Sequence, residues 1–182
     1  YDSWGVKRRD FKRGESMSEF IEFPVRNRED WVLFRDRYLD PGNPERFPSG
    51  WKDQCRRFDE KGIPVHIGYF PDIGLFGCLR WLLGDEDMLI GFYTMPELIR
   101  DILGHLTDLW LTLFERVTAE VHADIIHMFE DLCGRQGPMI SPGMWVDFFA
   151  PHYRRIRAFA DSRGIPLFSV DTDGNPYKLI GP

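Results

Sequence analysis

The sequence predicts an α/β chain organised around a parallel sheet. Two apolar, strand-like runs in the last third each end in acids: His127-Met128-Phe129-Glu130-Asp131, and Phe168-Ser169-Val170-Asp171-Thr172-Asp173-Gly174-Asn175. Between them lie a helix start at Ser141-Pro142 and a helix stop at Gly164. A third run, residues 63–69, is apolar on both faces, as a strand buried in a parallel sheet is. Strands alternating with helices predict parallel pairing through right-handed crossovers. Ligands of such proteins bind outside the carboxyl ends of the strands. The acids therefore stand where chemistry is done, and an enzyme is the leading expectation.

The elements follow in order. Residues 1–24 read as a two-stranded ribbon, with strands at 4–7 and 20–23 and a polar turn around Gly14. Asn27 caps a short helix whose apolar stripe is Trp31, Phe34, Tyr38 and Leu39. Residues 40–50 are a Pro/Gly loop, and a polar helix over 51–61 ends at Gly62. The strand at 63–69 leads into a helix at 74–83, which Gly84 stops, and a short piece runs to Tyr93. Thr94-Met95-Pro96-Glu97 reads as a capping box, with Thr94 at the cap and Glu97 reaching back. It opens an apolar-faced helix of about 25 residues, roughly 37 Å long. A strand at 123–129 follows. Ser141 caps the next helix with Pro142 in its first turn. Pro151 must break or kink that helix near Phe149, because proline cannot donate and clashes with the preceding turn. The helix resumes to Arg163, and the last strand spans 165–170.

The chain of 182 residues suits a single domain, residues 1–182, with the 1–24 ribbon as part of it. A net charge of −6 argues against a nucleic-acid partner, which needs a basic face. Cys55, Cys78 and Cys133 show no metal or disulfide spacing, which suggests reduced packing thiols in a cytoplasmic protein. No apolar run reaches the ~18 residues of a membrane span, and no signal peptide is read. The abrupt ends, Tyr1-Asp2 and Gly181-Pro182, are read as cut.

Several motifs then occur in order: Phe129-Glu130-Asp131, Gly137-Pro138-Met139-Ile140-Ser141-Pro142, Phe149-Ala150-Pro151-His152-Tyr153 and Asp171-Thr172-Asp173-Gly174-Asn175. Together they resemble the middle of the uroporphyrinogen decarboxylase superfamily, which includes haem-pathway decarboxylases and corrinoid-linked methyltransferases. The opening Asp2-Ser3-Trp4-Gly5-Val6 and the Arg46-Phe47-Pro48 loop resemble its less-studied members. The resemblance implies a TIM-barrel-type (β/α)8 fold. Such a barrel typically needs ~250 residues, so this chain resembles a partial barrel, a central slice with an N-terminal β-ribbon. A slice leaves sheet edges for missing flanking segments or a homo-oligomer to cover.

Asp131, Asp171 and Asp173 are the catalytic candidates. Asp131 lies just past a strand, where a carboxylate can bind pyrrole N–H groups or a cation; its plain alternative is a loop cap. Asp171 and Asp173 share parity on an extended backbone, and paired carboxylates can hold a divalent ion or divide acid and base roles. Their plain alternative is an Asp-Gly turn. Glu130, Arg80, Tyr69 and Asn175 are the substrate-binding candidates, with Arg80 suited to a substrate carboxylate. His66 and His127, inside strands, read as packing. No metal ligand set is assigned. In the methyltransferase branch a His-x-Cys pair holds zinc where this chain carries Asp171 and Asp173, so thiolate zinc chemistry loses its ligands. In the decarboxylase branch a substrate-binding tyrosine falls where Leu79-Arg80-Trp81 stands, and the arginine-rich N-terminal motif is missing.

The first expectation is therefore a decarboxylase-like enzyme on an anionic tetrapyrrole-type small molecule. It needs no cofactor, its strand-end carboxylates stabilising the protonated intermediate. The second is a methyltransferase working with a corrinoid protein and a divalent metal. The third is a non-catalytic interaction module.

Overall fold

The computed structural model describes residues 1–12, 18–68 and 73–181. The turn expected at Gly14 and the candidate Tyr69 lie outside the described residues.

Strands β1 (Lys7–Arg9) and β2 (Glu19–Glu22) form the antiparallel ribbon. Cross-strand pairs Lys7–Glu22 at 2.6 Å and Arg9–Glu19 at 2.9 Å tie it together. Helix α1 (Arg28–Tyr38) starts where Asn27 Oδ1 accepts the Asp30 N–H at 2.9 Å, and it buries Trp31 and Phe34. Helix α2 (Trp51–Lys61) runs between two glycines in the left-handed region, Gly50 and Gly62. Strand β3 (His66–Ile67) is shorter than the expected 63–69. Pro64 has no N–H to give a ladder, so regular pairing begins after it.

Helices α3 (Leu75–Leu83), α4 (Asp85–Thr94) and α5 (Pro96–Thr118) follow. The piece expected to run to Tyr93 is the ten-residue helix α4, with Asp85, Glu86 and Asp87 in its first turn against the helix dipole. The expected capping box does not form. Thr94 closes α4, its hydroxyl donating to the Ile90 carbonyl at 3.2 Å, and Met95 stands at the cap of α5 without a side-chain bond. The join between the helices is one residue long, so the preceding helix claims Thr94. Pro96, with its φ already helical, opens α5 instead.

Strands β4 (Ile125–Phe129), β5 (Cys133–Gly134) and β6 (Gly137–Pro138) come next. Helix α6 (Pro142–Met144) begins at Ser141, whose hydroxyl accepts the Met144 N–H. The disturbance expected near Phe149 takes the form of a π-helical turn over Trp145–Phe149. Helix α7 (Ala150–Ser162) then restarts with Pro151 in its first turn, where no N–H is needed. Strand β7 (Leu167–Asp171) ends the sheet.

The main sheet has the order β3-β4-β7, all parallel, with Ile126 opposite both Ile67 and Phe168. The order runs in one direction without reversal. The expected barrel is not closed among the described residues: this is a three-stranded open sheet packed with helices. Ile126 and Met128 are fully buried in one hydrophobic cluster with the apolar stripe of α5, Leu98, Ile99, Ile102, Leu103, Leu106 and Trp110. Phe149 joins it, 6.0 Å from Phe76 and 5.9 Å from Phe92 between ring centres. The opposite, odd-numbered face is open: His127 and Phe129 are half-buried, and Leu167 is 55% exposed. No helix among the described residues is long and apolar enough to cross a membrane.

Helix α3 reaches the strand through glycines. A Cβ on Gly74 or Gly77 would overlap the Phe129 carbonyl oxygen, which is backbone and cannot yield. Gly74→Ala is therefore expected to destabilise the protein by about 2–3 kcal/mol. An unchanged midpoint in urea unfolding would contradict that close approach.

Candidate active site

The carboxyl ends of β4 and β7 are held together by side chains. Asp171 Oδ1 accepts the Glu130 N–H at 2.8 Å, and Thr172 Oγ1 accepts the Cys133 N–H at 2.9 Å. The two loops then pack so closely that a Cβ on Gly174 would meet the Gly134 carbonyl oxygen and Cys133. The acids expected at the two strand ends thus share one mouth.

Three of them interact there. Asp131 has a left-handed backbone, φ 50°, the only positive φ outside glycine among the described residues. Aspartate tolerates this region better than most residues, at a cost typical of functional turns. Its Oδ2 lies 3.2 Å from Arg80 Nη1. Burial raises its pKa, and the charges of Asp173 and Asp171 add to the rise while Arg80 opposes it. Asp171 is half-buried and Asp173 is exposed. Arg80, on α3, is also gripped by Asp85 at the start of α4, through Nε–Oδ1 at 2.6 Å and Nη2–Oδ2 at 3.2 Å. Its fork is therefore already occupied on one side.

Beside this cluster lies a cavity of about 400 Å³. Phe20 and Phe23 from the ribbon, Trp81 from α3 and Phe129 from β4 give it apolar walls, and Arg80 and Asp131 stand at its polar end. Phe20 meets Trp81 edge-on at 5.3 Å, which holds the ribbon over the opening.

Two sequence candidates have other work. Glu130 is fully buried and turned away from the mouth. Its Oε1 accepts the Leu75 N–H at 2.7 Å and the Tyr153 hydroxyl; its Oε2 accepts the N–H groups of Phe76 and Gly77. It thus caps α3, whose own cap, Gly74, has no side chain. Burial pushes its pKa up to about 7, against the pull of these four donors. The reading of Glu130 as a substrate contact is corrected accordingly. Asn175 Oδ1 accepts the Tyr177 N–H at 3.0 Å, so this side chain closes a turn. Tyr153 and Thr172 fall inside the quoted motifs, but nothing in those motifs assigns either a role, because their partners lie 23 and 39 residues away.

The metal implied by the methyltransferase branch does not fit these residues. Among the described residues no group of three or more His, Cys, Asp and Glu side chains is placed to hold an ion. Asp171 already spends one oxygen on the Glu130 N–H. Cys55, Cys78 and Cys133 are buried and form no disulfide.

No family model matches the sequence, and no curated protein matches it either. Among solved structures, a methyltransferase from Methanosarcina mazei is similar, with a TM-score of 0.53 and 12% sequence identity. The match covers 93% of this chain and 48% of that one, so the chain spans about half the length of that methyltransferase. At this identity the likeness is one of fold.

Proposed function

We propose that residues 1–182 form one unit of an enzyme of the uroporphyrinogen decarboxylase superfamily, an arc of a (β/α)8-type barrel. It acts on a small molecule held between the ribbon and the carboxyl end of β4, and the reaction is methyl transfer. One observation carries the reading: Asp131, in a left-handed turn and paired with Arg80, stands at the polar end of an aromatic-walled cavity. The open edges beyond β3 and β7 are where the remaining barrel strands, or those of a second copy, would pair. Buried reduced cysteines suit the cytoplasm.

Methyl transfer is favoured over decarboxylation by the charge of the cavity. Its lining balances Arg8 and Arg80 against Asp85 and Asp131. A substrate carrying many carboxylates needs an excess of cations, which this lining lacks among the described residues. A compact, partly aromatic molecule with an N–H, O–H or cationic group beside Asp131 fits better. The structural likeness to a methyltransferase points the same way. A cavity of about 400 Å³ takes such a molecule and leaves a corrin ring outside, on a partner protein at the mouth. There the corrinoid would serve as carrier of the methyl group. One observation favours the decarboxylase reading instead: Asp131, Asp171 and Asp173 together make a negative mouth that would stabilise a protonated ring.

The test offers the purified protein methylated aromatic and amine compounds with reduced cobalamin, following methylcobalamin by absorbance. Uroporphyrinogen is supplied in parallel. Methylcobalamin should form, and Asp131→Asn should slow it on the order of 10²-fold. Coproporphyrinogen as the product would move the conclusion to decarboxylation. Neither product, with no ligand bound, would leave the interaction-module reading.

A further inference from the structure

We infer that His127 is the proton-transfer residue of this site, poised by Ser169 and Asp171 on the open face of the sheet. The inference rests on the enzymatic reading above and goes on to say which side chain moves the proton. In the ladder, Ser169 lies opposite His127, and Asp171 lies opposite Phe129. His127 Nδ1 is 2.8 Å from Ser169 Oγ, and His127 Nε2 is 3.9 Å from Asp171 Oδ2. The negative charge of Asp171 faces Nε2, so the proposed tautomer carries its proton there. Nδ1 is then an acceptor, and the Ser169 hydroxyl donates to it. When the ring takes a second proton, Ser169 Oγ turns acceptor and Asp171 faces the cation. Neither protonation state is left without a complement.

The 3.9 Å gap is too long for a direct hydrogen bond. Asp171 therefore orients the Nε2 proton by charge and leaves it to be shared with a third atom. The His127 side chain keeps 22% of its surface open. It has the same parity as Phe129, which lines the cavity, and lies about 6.6 Å further down the strand. Among the described residues His66 on β3 stands beside it, with ring centres 5.4 Å apart; Asp131, Asp173 and Arg80 lie at the strand ends, where they interact with one another. The helices pack on the opposite face, against Ile126 and Met128.

Both reactions considered above leave an electron pair on the substrate that needs a proton. When a methyl group passes to a nucleophilic acceptor, the pair of the broken bond stays on the heteroatom. When carbon dioxide departs, the pair stays on carbon. In either case the imidazolium N–H bond breaks toward that atom, its electrons return to the ring nitrogen, and solvent restores the proton.

Two measurements test this. In protein carrying 15N-labelled histidine, the neutral ring of His127 should show the Nε2–H tautomer, and Ser169→Ala and Asp171→Asn should each shift its nitrogen signals. The Nδ1–H tautomer, or signals that neither substitution moves, would overturn the assignment. In the turnover assay, His127→Gln should lower kcat about 10²-fold with little change in KM. Ser169→Ala, at an exposed position, should lower kcat several-fold and serves if His127→Gln folds poorly. Wild-type rates in both variants overturn the role of His127 and leave the enzymatic reading standing. Wild-type protein without any turnover removes the enzymatic reading and this role with it; the histidine spectra then report a structural cluster.

Discussion

Replacing Glu130 by alanine is expected to lower the folding free energy by about 3–5 kcal/mol, the largest loss foreseen for any single polar side chain here. The reason lies in what the carboxylate holds. The N–H groups of Leu75, Phe76 and Gly77 open α3 and have no intrahelical partner, and Gly74 offers no side chain to cap them. Alanine leaves three donors and the Tyr153 hydroxyl buried without an acceptor, at about 1–3 kcal/mol for each group that water cannot reach. Relief of the carboxylate's own desolvation offsets part of this. Glu130→Gln should cost less, about 2 kcal/mol, since its amide oxygen keeps two of the donors while its NH₂ opposes a third. For a chain of this size the alanine variant should melt roughly 10 °C or more below wild type. Urea and thermal unfolding followed by tryptophan fluorescence measure both. A wild-type midpoint for Glu130→Ala would show that α3 is not anchored through this side chain.

Stability should also fall as the pH rises from about 4.5 to about 7. The Glu130 carboxyl titrates near 4.5 in the unfolded chain and is pushed up to about 7 in the fold. Between those values the native state holds a proton that the unfolded state has released, so raising the pH favours unfolding. The contribution is fully present below 4.5 and gone above 7. It amounts to about 3 kcal/mol across the window. Asp131, also raised, acts in the same direction. His152 acts in the opposite sense, because burial lowers its pKa and it must lose its proton to stay in the fold. The difference between wild type and Glu130→Gln therefore isolates the glutamate. Urea midpoints at pH 5 and pH 8 should separate in the wild type and converge in that variant. A separation that survives Glu130→Gln would assign the pH dependence to other groups.

These expectations also mark what the sequence made legible. Local rules located α1, where Asn27 caps, and they placed strands at 123–129 and 165–170, close to the observed Ile125–Phe129 and Leu167–Asp171, whose apolar runs end in acids. The parallel pairing of those strands was legible too, because the helix between them has clear start and stop residues. Local rules failed where two elements compete for one residue. Thr94 satisfies a capping pattern for α5 but is spent closing α4. They failed again at Glu130, where neighbouring acids look equivalent in the sequence. The left-handed turn at Asp131 separates the two, turning one into the core and the other to the mouth. The three amides that Glu130 accepts sit more than 50 residues away on α3, and only the folded chain reveals that a glycine-started helix needs an acceptor from elsewhere.

The latch formed by Asp171 and Thr172 on the amides of Glu130 and Cys133 also bears on biosynthesis. Translation is vectorial, so the ribosome delivers the helices and β4 well before it delivers β7. A nascent chain can therefore bury its hydrophobic cluster while the mouth at the strand ends is still unfastened. The mouth matures last, when two side chains made late in synthesis reach back to amides made some forty residues earlier.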